Sequence, residues 1–223
     1  MNIVIDHLAI PPRPFLYPII DTGICAARQL DPVALAAIYV EAGVRILQLR
    51  DKNPSTAESL ALAERIVHQA REGEAIVIVN DRADIARLSG AAGVHVGQED
   101  LGIPDVRRVA GSQAVVGIST HDESQIDEAL GSDATYVAVG PIFGTATKDT
   151  GYTARGLDLV RYAANRGKPV VAIGGMTLDR AASVLEAGAT GLAVITDLLS
   201  GHDPAARTRE FVARLAAWPR QSS

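Results

Sequence analysis

Eight short apolar runs, each followed by a polar turn and an Ala-rich amphipathic stretch, point to a (β/α)8 TIM barrel built as a single α/β domain. Two further features agree. Glycines recur where the helical stretches end, and polar residues gather just past the ends of the apolar runs. The runs lie at 16–20, 44–49, 75–79, 93–96, 115–118, 136–139, 170–173 and 191–195. They lack the polar alternation of a half-solvated sheet, as expected of parallel strands covered on both faces.

In chain order, run 16–20 opens the barrel. Asp31-Pro32 starts a helix over 32–42, with Asp as the cap and Pro in the first turn. Glu41-Ala42-Gly43 ends it and leads into run 44–49. The amphipathic stretch 55–71 returns to Ala75-Ile76-Val77-Ile78-Val79, a run of pure strand character. A short helix over 83–88 is followed by Ala91-Ala92-Gly93 and run 93–96. Helices over 104–109, 123–130, 157–165 and 178–187 separate the later runs, and a helix over 204–216 closes the chain. Glu186-Ala187-Gly188 precedes the last run. Gly past a helix end takes the left-handed conformation, and that role is expected of Gly43, Gly93 and Gly188. An open doubly wound sheet is the competing architecture, but no Gly-x-Gly-x-x-Gly follows the first run.

Residues 1–14 read as an N-terminal arm and 15–223 as the barrel domain. The arm has an early Asp and three prolines, and lacks the basic start and apolar core of a signal peptide. Aromatics make up only 4% of the chain against 48% hydrophobic residues, so the core must be aliphatic. A net charge of -5 argues against a whole-surface affinity for nucleic acid. The single cysteine, Cys25, excludes an internal disulfide and a Cys-based metal centre, and fits a cytoplasmic protein. No apolar run approaches the roughly 18 residues of a membrane span. The oligomeric state stays open, a homo-oligomer included.

In such a barrel the site lies at the C-terminal ends of the strands. The second run delivers Gln48, Arg50 and Lys52 on one alternation and Leu49 on the other. The third delivers Asn80 and Asp81, the fourth Gly97, Gln98 and Asp100, and the fifth Ser119, Thr120 and His121. The sixth gives a long loop through Thr145, Thr147 and Lys148. The seventh gives Gly174-Gly175, and the eighth ends at Ile195-Thr196. Asp81 and Asp100 make a seat for a hard cation that prefers oxygen. The bland alternative has Asp81 capping the next helix and Asp100 as loop decoration. Arg50, Lys52 and Lys148 around those carboxylates suit a ligand of several negative charges, most simply a diphosphate. The glycine pair suits a second anion held by bare backbone N–H groups. His95 reads as a satisfied histidine of the barrel interior. His121 is a site candidate, and His7, His68 and His202 read as surface. Trp218 is expected to pack the last helix down.

These motifs together resemble the thiamine phosphate synthase family, also called thiamine-phosphate pyrophosphorylase. The resemblance spans about 16–199. It rests on Gln48-Leu49-Arg50-Asp51-Lys52, Val79-Asn80-Asp81-Arg82, the stretch from Gly93 to Leu101, Gly117-Ile118-Ser119-Thr120-His121, Gly140-Pro141-Ile142-Phe143, Thr145-Ala146-Thr147-Lys148 and Ala172-Ile173-Gly174-Gly175. It implies that Gln48, Arg50, Lys52, Asn80, Ser119 and Lys148 bind the aminopyrimidine diphosphate. It also implies that Asp81 and Asp100 hold Mg2+, and that Thr145, Thr147, Gly175, Ile195 and Thr196 bind the thiazole phosphate. Asp51 stands where the family usually has Glu, and Thr196 where it has Ser. Arg50, Lys52, Ser119 and Lys148 are the implied catalytic group, and the loop 144–154 the natural lid. Two rivals are a thiazole tautomerase using His121 as acid and base, and a non-catalytic sensor of phosphate ligands.

Overall fold

The computed structural model describes residues 10–11, 14–52, 55–144 and 153–219. Eight parallel strands close on themselves in sequence order. They are β1 (Phe15–Asp21), β2 (Ile46–Arg50), β3 (Ile76–Asn80), β4 (Gly93–Val96), β5 (Val115–Thr120), β6 (Tyr136–Val139), β7 (Val170–Ala172) and β8 (Gly191–Val194). The helices are α1 (Thr22–Ala27), α2 (Pro32–Glu41), α3 (Thr56–Glu72), α4 (Ala83–Ser89), α5 (Ile103–Ala110), α6 (Glu123–Gly131), α7 (Gly156–Ala163), α8 (Ala181–Glu186) and α9 (Pro204–Ala216). A single 3-10 turn, Asp197–Leu199, follows β8. Among the described residues no helix is long and apolar enough to cross a membrane.

The strand alternation builds two separate apolar bodies. Residues such as Leu16, Leu47, Val77, Val94, Val116, Val137 and Leu192 face outward and pack with the helices. Phe15, Tyr17, Ile19, Ile46, Ile78, Val115, Tyr136, Val171 and Ala193 face inward and fill the lumen. Ile10, from the end of the arm, packs against that inner body; residues 1–9 and 12–13 lie outside the described residues. Two strand glycines make room for rings in the lumen. A Cβ on Gly117 would sit 2.0 Å from Tyr136 Cζ, and one on Gly191 would sit 2.5 Å from the Phe15 ring.

The helix signals hold in part. Asp31 caps α2 by accepting from Val33 N at 3.1 Å. Gly43 and Gly188 have φ of 100° and 101° as expected. The third junction differs, because the left-handed residue there is Gly90, at φ 71°. Gly93 is instead the first residue of β4, where a Cβ would lie 1.8 Å from the Val115 carbonyl oxygen. Run 44–49 starts later, at Ile46, since Gly43 and Val44 are still bonded to the end of α2. Helix α1 was not expected; Asp21, the last residue of β1, caps it through Ile24 N at 3.0 Å. Trp218 packs against the outer core as anticipated.

Candidate active site

A cavity opens at the C-terminal end of the strands. Gln48, Arg50, Asn80, Ser119, Gly175, Ile195 and Thr196 all line it. Thr145, Thr147 and Lys148 lie outside the described residues, as does most of the loop 144–154. The far end of that loop is tied down, with Arg155 N donating to Pro141 O at 2.8 Å and Gly156 N to Ile142 O at 3.0 Å.

The floor of the cavity is a chain of hydrogen-bonded polar side chains without a carboxylate, lysine or arginine. Gln48 Nε2 donates to the Tyr17 hydroxyl at 3.1 Å, and that hydroxyl lies 2.9 Å from the Tyr136 hydroxyl. His95 Nδ1 lies 2.9 Å from the Tyr136 hydroxyl, and His95 Nε2 lies 2.9 Å from Ser119 Oγ. Five side chains from five strands thus form one chain across the lumen. The Tyr17 ring meets Tyr136 edge to face, and the His95 ring stacks on Tyr136. Burial, the leading cause for both, pushes the phenols of Tyr17 and Tyr136 far above the ordinary tyrosine value, so both keep their protons. His95 is therefore the satisfied interior histidine expected, and it also lines the cavity.

The rim is charged. Arg50, at the end of β2, pairs with the buried Asp21 carboxylate. Lys52 pairs with Asp81, and both face an adjoining hollow at the top of β2 and β3 rather than the main cavity. Strand alternation groups Lys52 with Gln48 and Arg50, but the chain leaves β2 at Arg50, and the lysine lines the neighbouring hollow instead. Asp51 points the other way, accepting from Thr22 Oγ1 at 2.9 Å and Ser59 Oγ at 2.7 Å.

Asp81 does not cap α4; the capping position is Arg82, with no side-chain bond to the helix. Asp81 instead takes φ 64°, unusual for a residue with a side chain, and its N–H donates to His95 O at 2.7 Å. Asp100 accepts from Gly97 N at 2.7 Å. Burial raises the Asp100 acid above its ordinary value, and the neighbouring Asp81 carboxylate, within hydrogen-bonding reach, raises it further. Two carboxylates that disfavour each other's charge are the donor set a divalent cation relieves. No group of three or more metal-binding side chains occurs among the described residues. Mg2+ usually takes one or two carboxylates and completes its shell with water and phosphate oxygens.

At the opposite side of the mouth, Gly174 and Gly175 have φ of 96° and 61°. A Cβ on Gly175 would lie 2.7 Å from Gly144 O. Arg180 donates to Gly175 O at 2.5 Å and lies over the Phe143 ring. His121 lines the cavity and bonds Gly140 O through Nδ1 at 2.5 Å. Cys25 is buried, and burial followed by Asp21 and Asp31 pushes its thiol up to about 11, which does not suit a nucleophile. His68 and His202 are exposed, as read from the sequence; His7 lies outside the described residues.

Asp21, Tyr17, Tyr136 and Arg180 had no motif to mark them. The one available signal was for the first two: Tyr17, Ile19 and Asp21 share an alternation on β1, which puts Asp21 on the lumen side at the strand end.

The family model described as thiamine monophosphate synthase matches residues 16–198. A thiamine-phosphate synthase of Acidothermus cellulolyticus is 41% identical over 193 residues, covering 85% of this chain and 91% of the relative. One from a Roseiflexus species is 38% identical over 203 residues, covering 91% and 85%. Among solved structures, a thiamine phosphate pyrophosphorylase from Pyrococcus furiosus superposes with a TM-score of 0.81 at 30% identity, covering 91% of this chain and 95% of that one.

Proposed function

Because the chain belongs to the thiamine monophosphate synthase family, we propose that it is the transferase that joins 4-amino-2-methyl-5-(diphosphomethyl)pyrimidine to 4-methyl-5-(2-phosphoethyl)thiazole. The products are thiamine phosphate and diphosphate. One observation supports this best: a hydrogen-bonded floor suited to a flat polar ring lies beside a rim of cations and paired carboxylates. A ring carrying a diphosphate needs both.

In this reading Gln48 and Ser119 orient the pyrimidine, and Arg50, Lys52, Asn80 and Lys148 take its diphosphate. Asp81 and Asp100 hold Mg2+, which when bound neutralises charge on the diphosphate oxygens. Gly175, Ile195 and Thr196, with Thr145 and Thr147, take the thiazole phosphate. The bond from the exocyclic methylene carbon to the diphosphate oxygen breaks, and its electron pair leaves with the diphosphate. The aminopyrimidine spreads the positive charge left on that carbon. The lone pair of the thiazole nitrogen then forms the new C–N bond, so no protein nucleophile is needed. Arg50, Lys52 and Lys148 stabilise the charge growing on the leaving group, a preorganised effect in which one lost donor costs about 10²–10³ in rate. The lid excludes water that would otherwise trap the carbon.

The same reading makes this a cytoplasmic enzyme of small molecules, without nucleic-acid or membrane partners. The tautomerase reading, with His121 as acid and base, draws no support from the relatives found. The test is product formation with both substrates and Mg2+, with each component omitted in turn. Thiamine phosphate should appear only in the complete mixture, and its absence there would sink the proposal.

A further inference from the structure

The linked side chains across the floor can pass their hydrogens along only in a consistent order, set here by Gln48. Gln48 Nε2 donates to Tyr17, so the single Tyr17 proton is free to pass on to Tyr136. Tyr136 has then accepted one bond and gives its own proton to His95 Nδ1. His95 must carry its hydrogen on Nε2, and it donates to Ser119 Oγ. In the opposite order at Tyr136, Tyr17 would accept twice and its buried proton would have no acceptor in this chain. No buried side-chain nitrogen or oxygen among the described residues lacks a partner. The order leaves two groups for the cavity: Gln48 Oε1 as an acceptor and the Ser119 hydroxyl as a donor.

With His95 neutral, the reverse order is the only other complete one. It needs the Gln48 amide turned over, both phenols rotated and the hydrogen of His95 moved to Nδ1. It would then offer the cavity an amide N–H at Gln48 and an acceptor at Ser119. A 4-aminopyrimidine brings a donor on its exocyclic nitrogen and acceptors on its ring, and so matches the first order. A 4-oxopyrimidine brings an exocyclic acceptor and a ring N–H, and so matches the second.

We propose that the Gln48–Tyr17–Tyr136–His95–Ser119 chain is a selectivity device that couples both ends of the pyrimidine pocket, so that the 4-oxo analogue is rejected by five side chains as a unit. Tyr17, Tyr136 and His95 act here as positioning residues. The inference rests on the pyrimidine reading of the site given above. Tyr136 is the link to break, since it is fully buried beneath the cavity and does not line it. Without its hydroxyl the two halves of the chain reorient independently. Such coupling is costly to oppose, because the 4-oxo analogue must either turn the whole chain over or meet an unmatched polar group at each end of the pocket.

The test has two arms. In the first, Tyr136→Phe and wild type are compared for kcat/KM with the 4-amino and 4-oxo pyrimidine diphosphates. The ratio of the two should fall about tenfold in the variant, the scale of one hydrogen bond. An unchanged ratio in a folded variant overturns the proposal. The second arm needs no variant. Nitrogen-15 NMR of histidine-labelled wild type should show His95 neutral with its hydrogen on Nε2. A hydrogen on Nδ1 alone, or an imidazolium, overturns the chain order. This arm reads the chain even if wild type forms no thiamine phosphate, so failure of the functional reading is told apart from failure of the inference.

Discussion

The floor and the rim of the cavity hold their polar groups in opposite ways. On the floor every partner is a polar side chain supplied by another strand, all but Ser119 are buried, and the phenols are kept protonated by burial. At the rim the partners are opposite charges, Arg50 with Asp21 and Lys52 with Asp81, with one side open to solvent. The floor is finished before any ligand arrives. The rim is provisional, since each cation must share or exchange its carboxylate when an anion binds. So the floor should govern stability and selectivity, and the rim should govern rate.

The sharpest way to break that division is Asp100→Asn. We expect turnover to drop by about 10²–10³ and the Mg2+ dependence to weaken with it. Thermal stability should hold or rise, because the carboxyl removed is one that burial and Asp81 push toward its neutral form. The sign extends to pH. A protonated Asp100 is no ligand, so half-saturating Mg2+ in wild type should rise as pH falls from neutrality toward the raised value. Intact thiamine phosphate formation by the variant, or by wild type in EDTA, would exclude the metal seat.

Gly117→Ala attacks the floor. Its Cβ would collide with the Tyr136 ring, 2.0 Å from Cζ, and overpacking of this kind costs about 1–3 kcal/mol. Chemical denaturation should show that loss, and a variant as stable as wild type would mean the floor is softer than argued here. Gly175→Val tests the phosphate side of the rim. Its φ of 61° and the 2.7 Å approach to Gly144 O leave no room for a side chain. The KM for thiazole phosphate should rise about tenfold or more, with the pyrimidine substrate little affected; equal changes for both would point to misfolding. The smallest effect belongs to Asp21→Asn. Asp21 caps α1 with one carboxylate oxygen and accepts from Arg50 with the other, so Asn, which has a single oxygen, keeps the cap and turns its amide nitrogen to Arg50; kcat should fall a few-fold as Arg50 loses its aim. Unchanged kcat would remove Asp21 from the positioning of Arg50.

The rim was more legible in the sequence than the floor, for a physical reason. Rim residues sit in short local motifs at strand ends, where alternation and position in the chain predict direction, as for Arg50; the two ends of the floor chain, Gln48 and Ser119, were legible for the same reason. The floor is made by residues such as Tyr17 and Tyr136, which are 119 positions apart and look like ordinary strand hydrophobes. Only barrel closure brings them together, and no spacing encodes it. The strands were readable because each is a nearly pure apolar run. Helix α1 was not, because it has six residues and its cap, Asp21, doubles as a strand end. Gly93 misled because a glycine required by a close strand crossing looks in sequence like one required by a helix end.

His95 has a double attachment whose effect reaches beyond recognition. Its ring belongs to the floor, while its carbonyl accepts the Asp81 N–H at 2.7 Å and helps hold that residue at φ 64°. Strain of that kind persists only while its surroundings enforce it. The backbone at 95 is therefore a joint between the two halves of the site. Replacing this histidine removes its ring from the floor but keeps the carbonyl, so the carboxylate is displaced only as far as the strand backbone moves with the lost ring.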